Sequence, residues 1–221
     1  MRLKFVSMLI IGLLVSGVVG QEAAKTPGMG NGDEKDLKVG DVAPSWALMY
    51  APGQFEFLKN WSEEDGKRLR KFTSQPDRHA VLMSFFATWC QPCMKELPIL
   101  ENVYQKYKDE RIKFFLVDIT EATRNNPGEV YGVAYKDVPV AGPFLKNKGV
   151  TMQILFDTRG VVMKNYNAQT LPRLFLMNGN RKITLTRRGF HDGEEKKFKT
   201  DLSVEIERLL AELPPPKNAT N

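Results

Sequence analysis

The pattern of apolar and polar positions in the middle of the chain predicts a strand, a helix and a second strand. Residues 80–87, Ala-Val-Leu-Met-Ser-Phe-Phe-Ala, are almost wholly apolar, as is typical of a buried central strand. Apolar residues then recur at three- and four-residue steps from Met94 to Tyr107, which predicts an amphipathic helix. Residues 112–118, Ile-Lys-Phe-Phe-Leu-Val-Asp, predict the next strand. Such a unit favours parallel strands joined by a right-handed crossover.

The second half of the chain is expected to complete an α/β domain. The predicted elements are a strand at 154–157, a short helix at 161–166, and strands at 173–177 and 181–187 around the hairpin signal Asn178-Gly179. The last element is an amphipathic helix that Pro214-Pro215-Pro216 ends, with Phe198, Leu202, Ile206, Leu209, Leu210 and Leu213 on one face. Five strand candidates with flanking helices predict a three-layer α/β/α sandwich with a mixed sheet, a C-terminal hairpin and a final helix.

Two segments show no regular pattern. Residues 62–79 are charged and turn-prone, and are interpreted as an insertion before the central strand. Residues 121–149 contain several glycines and prolines, so any helix there is short. Long irregular segments in compact domains are often functional, and this one is a candidate for shaping a substrate groove.

The first residues predict export. A basic start, Met1 to Lys4, precedes the apolar run 5–19 and a small-residue site at Gly20, the pattern of a cleaved signal peptide over 1–20. An uncleaved anchor is the alternative, although a run of 15 residues is shorter than the ~20 that a spanning helix needs. Either way we expect the domain in the periplasm or at the outer face of the cytoplasmic membrane.

Composition sets the domain organisation. Residues 21–36 are rich in Gly, Lys, Glu and Asp and predict a disordered linker. Residues 37–213 are expected to form one domain, and residues 214–221 a proline-rich tail.

The net charge is +6, with basic clusters at 67–71 and 196–199. We interpret these clusters as solvated helix faces, the alternative being attraction to anionic lipid or an acidic partner. No nucleic-acid motif is present, so no nucleic-acid partner is expected.

The candidate chemistry lies in the two cysteines of the chain, Cys90 and Cys93. One such pair excludes a multi-bridge framework and a four-thiolate zinc site, and suits a switch between dithiol and disulfide. Cys90 stands where a buried strand ends and a helix begins, so free N–H groups and the helix dipole favour its thiolate. We therefore expect Cys90 to attack and the more buried Cys93 to resolve. Pro92 suits the first helical turn. A purely structural disulfide, or two idle thiols, is the alternative.

The motif around the pair resembles the thioredoxin-fold superfamily, and within it the ResA/TlpA-like thiol-disulfide oxidoreductases of bacterial envelopes. The resemblance covers roughly 37–213 and is strongest over residues 85–98, Phe-Phe-Ala-Thr-Trp-Cys-Gln-Pro-Cys-Met-Lys-Glu-Leu-Pro. Gly40-x-x-Ala43-Pro44 and Leu171-Pro172 are also similar. It implies a thioredoxin-like fold and a redox-active Cys90–Cys93 pair with no organic cofactor.

The resemblance also implies a substrate-binding surface. The superfamily's proline at the position of Pro172 is cis and lies beside the redox pair, where the backbone of Leu171 would pair with an extended substrate. Trp89 would cover the Cys90 side. The alternatives are an ordinary proline at the start of a strand and a tryptophan that only packs.

A third implied feature is a buried carboxylate at Glu96 that manages protons beside the cysteines, which makes Glu96 a candidate catalytic residue with Cys90 and Cys93. Thioredoxin has an aspartate six residues before its first cysteine, whereas Ser84 stands there in this chain. Serine cannot act as a general base at neutral pH. This departure favours Glu96 as the proton carrier, the alternative being a glutamate on the helix surface.

These features predict an envelope enzyme that reduces protein disulfides. The resemblance implies apocytochrome c as one substrate, and a membrane thiol donor that restores the dithiol. A dithiol oxidase that forms disulfides is one alternative, since direction depends on reduction potential. A copper-binding chaperone that uses Cys90, Cys93 and His191 is an alternative from another class, although no metal site is expected.

Overall fold

The buried apolar runs form the middle of a mixed β-sheet. The computed structural model describes residues 36–70, 77–125 and 140–215. Within these residues the strands are β1 (Ala47–Ala51), β2 (Gln54–Phe57), β3 (Ala80–Phe86), β4 (Ile112–Asp118), β5 (Gln153–Phe156), β6 (Arg173–Met177) and β7 (Ile183–Arg188). They form one sheet in the order β2-β1-β5-β4-β3-β6-β7.

The described residues contain the three predicted helices, together with two short helices in and next to the segment without a regular pattern. They are α1 (Gln91–Tyr107), α2 (Thr120–Asn125), α3 (Ala141–Asn147), α4 (Val161–Asn165) and α5 (Glu195–Glu212), with a 3₁₀ turn at Leu58–Asn60. The predicted strand–helix–strand unit is confirmed, because β3 pairs with β4 in parallel across the α1 connection. On its other side β3 pairs antiparallel with β6, which places the C-terminal hairpin next to the central strand.

Successive side chains along the central strands point to opposite faces of the sheet, and both faces are covered. Phe114 packs against Tyr104 of α1, and the next residue, Phe115, packs edge-on against Trp46 with 5.5 Å between ring centroids. Helices α1 and α5 contact each other on the first face. Tyr166, which follows α4, packs against Phe85 and Phe175 on the second face. The predicted three-layer α/β/α sandwich is therefore confirmed.

The structure adds a hairpin that the sequence pattern did not predict. β1 and β2 pair antiparallel across Pro52-Gly53, and Gly53 has φ of +71°, which favours glycine. The Pro-Gly pair is a turn signal that could have located this hairpin. It was missed because β1 and β2 are short and lack a continuous apolar run.

The predicted C-terminal hairpin is confirmed, but its second strand begins at Ile183 rather than at residue 181. Asn178 closes a longer turn, since its Oδ1 accepts hydrogen bonds from the backbone N–H groups of Asn180 and Lys182. Arg181 has φ of +61° within that turn, which is incompatible with a strand.

The segments without a regular pattern are partly described. Ser62 and Glu63, in the predicted insertion, are buried against the C-terminal hairpin. Two short helices, α2 and α3, lie within 120–149, whereas residues 126–139 are outside the described range. The predicted signal peptide at 1–20, the linker up to residue 35 and the tail beyond residue 215 are also outside it. None of the described helices is long and apolar enough to cross a membrane.

Candidate active site

Cys90 and Cys93 form a disulfide at the point where β3 gives way to α1. Their S–S distance is 2.02 Å and their Cα atoms are 5.3 Å apart. Cys90 is the N-cap of α1, and its Sγ accepts a hydrogen bond of 3.2 Å from the backbone N–H of Cys93. Pro92 lies in the first helical turn, as expected. These contacts place Cys90 Sγ beside the positive end of the helix dipole, where a thiolate is stabilised.

The two sulfurs differ in their access to a surface groove. Both cysteines are buried as whole residues, 3% exposed for Cys90 and 1% for Cys93. Only Cys90 of the two borders the groove, which has a volume of about 580 Å³. The residues that line it are Trp89, Cys90, Gln91, Pro92, Gln169, Thr170 and Leu171. An incoming disulfide in this groove therefore meets Cys90 first, which agrees with the order expected for attacker and resolver.

The Leu171-Pro172 peptide bond is cis, as the resemblance implied. Pro172 directly precedes β6, and its carbonyl oxygen accepts a hydrogen bond of 2.8 Å from the backbone N–H of Gly189. Leu171 borders the groove opposite the helix end. The structure thus brings Leu171 and Cys90 to one surface although they are about 80 positions apart in the sequence.

Trp89 joins the groove to a polar anchor beneath it. Its indole Nε1–H donates a hydrogen bond of 2.9 Å to Thr123 Oγ1 in α2. The preceding residue, Thr88, donates its backbone N–H to Thr120 Oγ1. Trp89 therefore has both a place in the groove and a structural contact, and the loop before Cys90 is fixed by two threonines of α2.

Glu96 is buried one helical turn beyond Cys93. It is 2% exposed, and its carboxylate Oε2 accepts a hydrogen bond of 2.9 Å from Ser84 Oγ. Burial raises the pKa of Glu96 to about 7 from an ordinary value of 4.5, against the Ser84 hydrogen bond and the positive charge of Arg187, which both lower it. A carboxyl group with a pKa near neutrality can accept and return a proton under physiological conditions. The alternative of a surface glutamate is wrong.

His191 is exposed in the loop after β7. Across the three described ranges no three His, Cys, Asp or Glu side chains are grouped so as to hold a metal ion, so His191 does not join the two cysteines in such a group. The copper-binding hypothesis therefore has no ligand cluster among the described residues to rest on.

Comparison with known proteins agrees with this geometry. The model of the Redoxin family matches residues 38–202. The chain belongs to the Redoxin family. Thiol-disulfide oxidoreductase ResA of Bacillus cereus is 26% identical to this Redoxin over 186 residues, which cover 84% of the chain and 88% of ResA. Sporulation thiol-disulfide oxidoreductase A of Bacillus subtilis is 28% identical over 121 residues, 55% of the chain and 66% of that protein.

Solved structures support the same fold. The thioredoxin domain of a thiol-disulfide oxidoreductase from Bacteroides vulgatus superimposes with a TM-score of 0.53 at 18% identity, covering 79% of this chain and 99% of that domain. The family match, the similarity to ResA and the Cys90–Cys93 bridge relate the chain to the ResA/TlpA-like thiol-disulfide oxidoreductases. It is a thiol-disulfide oxidoreductase.

Sequence reasoning missed several residues of the site. Gln169 and Thr170 line the groove, and their position directly before Leu171-Pro172 was an available signal. Thr123 and Arg187 carried none, because helix docking brings Thr123 under Trp89 and strand pairing brings Arg187 toward Glu96.

Proposed function

We propose that this Redoxin reduces protein disulfides outside the cytoplasm. The observation that carries the proposal is the placement of Cys90 Sγ at the start of α1 and at the edge of an open groove, with Cys93 behind it. An attacking sulfur that a substrate can reach, paired with a resolving sulfur that it does not meet, is the arrangement that disulfide exchange needs.

The reaction begins from the dithiol form. Cys90 thiolate attacks one sulfur of the substrate disulfide, so a mixed disulfide forms and the other substrate sulfur leaves as a thiolate that takes up a proton. Cys93 then loses its proton and attacks Cys90 Sγ, which forms the Cys90–Cys93 bond and releases the second substrate sulfur. Two electrons pass from the enzyme to the substrate, and the enzyme is left in the bridged form of this structure.

Glu96 is proposed to carry the proton of Cys93. The two side chains are both buried and lie one turn apart on α1, away from bulk water. A carboxylate with a pKa of about 7 binds a proton that a thiol releases, and returns it when the dithiol is restored.

The cellular setting is inferred from the leader pattern at 1–20 and from the resemblance to envelope proteins. We place the domain in the periplasm or at the outer face of the cytoplasmic membrane. An oxidising compartment closes the bridge, so a membrane thiol donor is required to reopen it. Apocytochrome c, with a Cys-x-x-Cys-His motif for haem attachment, is the proposed substrate.

A trapping experiment tests the order of the cysteines and the substrate. In Cys93→Ser the resolving sulfur is missing, so Cys90 should accumulate as a mixed disulfide with substrate proteins from an envelope extract. These adducts should disappear on reduction and contain proteins with a Cys-x-x-Cys-His motif. Cys90→Ser is the matched control and should trap little. Equal trapping by both variants would contradict the assigned order.

The reduction potential tests the direction. A reductase should equilibrate near the thioredoxin end of the known range, about −270 mV, whereas an oxidase such as DsbA lies near −120 mV. The measurement is equilibration of the purified enzyme with defined thiol–disulfide mixtures. A value close to the oxidising end would contradict the reductase proposal.

A further inference from the structure

A row of paired residues links Glu96 to the C-terminal hairpin. Ser84 of β3 lies opposite Leu174 of β6, and Leu174 lies opposite Arg187 of β7. Side chains of directly opposed residues in neighbouring strands project from the same face of a sheet. Ser84 and Arg187 therefore share the face on which α1 carries Glu96.

Contacts with the helices confirm this orientation. Ser84 Oγ donates to Glu96 Oε2 on α1, at 2.9 Å. The guanidinium carbon of Arg187 lies 4.9 Å from the ring centroid of Phe198 on α5. Glu194, directly before α5, fixes the Arg187 side chain in this position, because one of its carboxylate oxygens lies 2.6 Å from Arg187 Nη2.

The charged residue directly before Glu96 in α1 is paired with another group. Lys95, its neighbour on α1, is exposed and forms an ion pair of 2.6 Å with Asp192. Two groups act on the Glu96 carboxylate from the sheet: the Ser84 hydroxyl of β3, which donates to it, and the Arg187 guanidinium of β7, whose charge Glu194 partly offsets.

We propose that Ser84 and Arg187 are positioning residues for Glu96, which orient its carboxylate and stabilise its ionised form. Ser84 acts through a hydrogen bond and Arg187 through its charge. The inference rests on the proposed role of Glu96 as the carrier of the Cys93 proton. It adds how a buried carboxylate can stay ionised in this chain. At the strand position where thioredoxin has an aspartate, this chain has Ser84, which donates a hydrogen bond to Glu96.

The physical reason is the cost of burial. A carboxylate removed from water and left without donors stays protonated well above neutral pH, and then cannot accept a proton from a thiol. The hydroxyl of Ser84 and the charge of Arg187 both oppose the burial effect on the pKa of Glu96. Without them the Glu96 carboxyl group would stay protonated to a higher pH.

The test is a pH titration of the Glu96 carboxyl carbon by NMR, in the full-length bridged protein. Ser84→Ala and Arg187→Gln should each move the midpoint upward, by roughly 0.5 to 1 pH unit, since each removes one stabilising interaction of the ionised form. Ser84→Thr and Arg187→Lys retain the hydroxyl and the charge, and should return the midpoint toward the wild-type value.

Arg188→Gln is the matched control. It removes the same charge one residue further along β7, where the side chain projects to the opposite face and contacts Asp36. Its midpoint should equal that of the wild type. Unchanged midpoints in Ser84→Ala and Arg187→Gln, or an equal shift in Arg188→Gln, would overturn the inference.

The pH profile of mixed-disulfide resolution separates this inference from the function on which it rests. If Glu96→Gln leaves that profile unchanged, Glu96 does not carry the proton, and the proposed function fails at that step. A shifted carboxyl midpoint in Ser84→Ala and Arg187→Gln would still support the positioning role.

Discussion

At the scale of single residues, the chemistry of the site depends on the different local environments of Cys90, Cys93 and Glu96. Cys90 lies at a helix N-terminus and at the edge of a groove, whereas Cys93, three residues on, lies behind it. Glu96 lies one turn further, and burial raises its pKa to about 7. The N-cap of α1 and two positions within that helix thus hold the proposed attacker, resolver and proton carrier.

Glu96 should make the stability of the protein depend on pH. In the unfolded chain its carboxyl group has a pKa near 4.5 and in the folded chain near 7, so between these values the folded state binds the extra proton. The stabilisation of the folded state by this proton is fully present below about pH 4.5 and is lost as the pH rises through 7. The loss amounts to about 3 kcal/mol of the free energy of unfolding.

Denaturant unfolding of the bridged protein at pH 4 and at pH 8 measures this effect. The wild type should lose about 3 kcal/mol relative to Glu96→Gln between the two conditions. Glu110→Gln removes an exposed carboxylate near the end of the same helix and should follow the wild type. A constant difference between wild type and Glu96→Gln would mean that the carboxylate is not buried in solution.

At the scale of elements, the C-terminal hairpin is hydrogen-bonded to the site at one end and is fixed to the rest of the domain at the other. The backbone N–H of Gly189, just after β7, donates a hydrogen bond to the carbonyl oxygen of Pro172. At the other end of the hairpin, Arg181 Nη1 contacts a carboxylate oxygen of Glu63 at 2.7 Å, and both side chains are buried. Arg181 Nε also donates to the carbonyl of Ala43. The segment interpreted as an insertion therefore begins as part of the packed domain.

Arg181→Met should destabilise the fold strongly. It leaves Glu63 buried with the partly exposed Lys59 as its remaining ion-pair partner, and breaking one side of a buried pair costs about 3–5 kcal/mol. The free energy of unfolding from denaturant titration reports the change. Lys182→Met, at the next and exposed position, should change it by about 0.5 kcal/mol or less. A similar small loss in both variants would show that the ion pair contributes little.

At the scale of the whole molecule, an aromatic cluster behind the site joins the sheet to the second helical layer. Phe175 of β6 packs against Tyr166 and Phe85, with ring centroids 5.1 and 6.3 Å apart. The hydroxyl of Tyr166 donates to the carbonyl of Pro44, which ties the N-terminal part of the domain to this cluster. The core therefore continues from the strand that follows Pro172 into the opposite layer.

Two phenylalanines allow a matched test of this core. Phe175→Ala should lower the free energy of unfolding by about 3–5 kcal/mol, since Phe175 is fully buried and its loss leaves a cavity. Phe55→Ala, in β2, should lower it by about 1 kcal/mol or less because Phe55 is 51% exposed. Equal losses would contradict the burial assigned to the two strands.

Much of the fold could be predicted because the strongest patterns are local. The wholly buried β3 and β4, the amphipathic α1 and α5 and the break at Pro214 each follow from side chains within a few residues. The prediction failed for β1 and β2, which are short, lie at one side of the sheet and have mixed exposure. Arg181 was assigned to a strand because neither its left-handed backbone nor its buried ion pair has a local pattern.

By itself the sequence determined the cysteine pair, its position at a strand–helix junction and the candidacy of Glu96 and Pro172, because spacing along a helix and family motifs are properties of the chain. Tertiary structure alone decided which groups surround Glu96. Strand pairing placed Arg187 in one row with Ser84, and α1 packing put Glu96 over Ser84 Oγ. The pKa of a carboxyl group depends on solvent exclusion and on charges distant in sequence, and both exist only once the sheet and helices have packed.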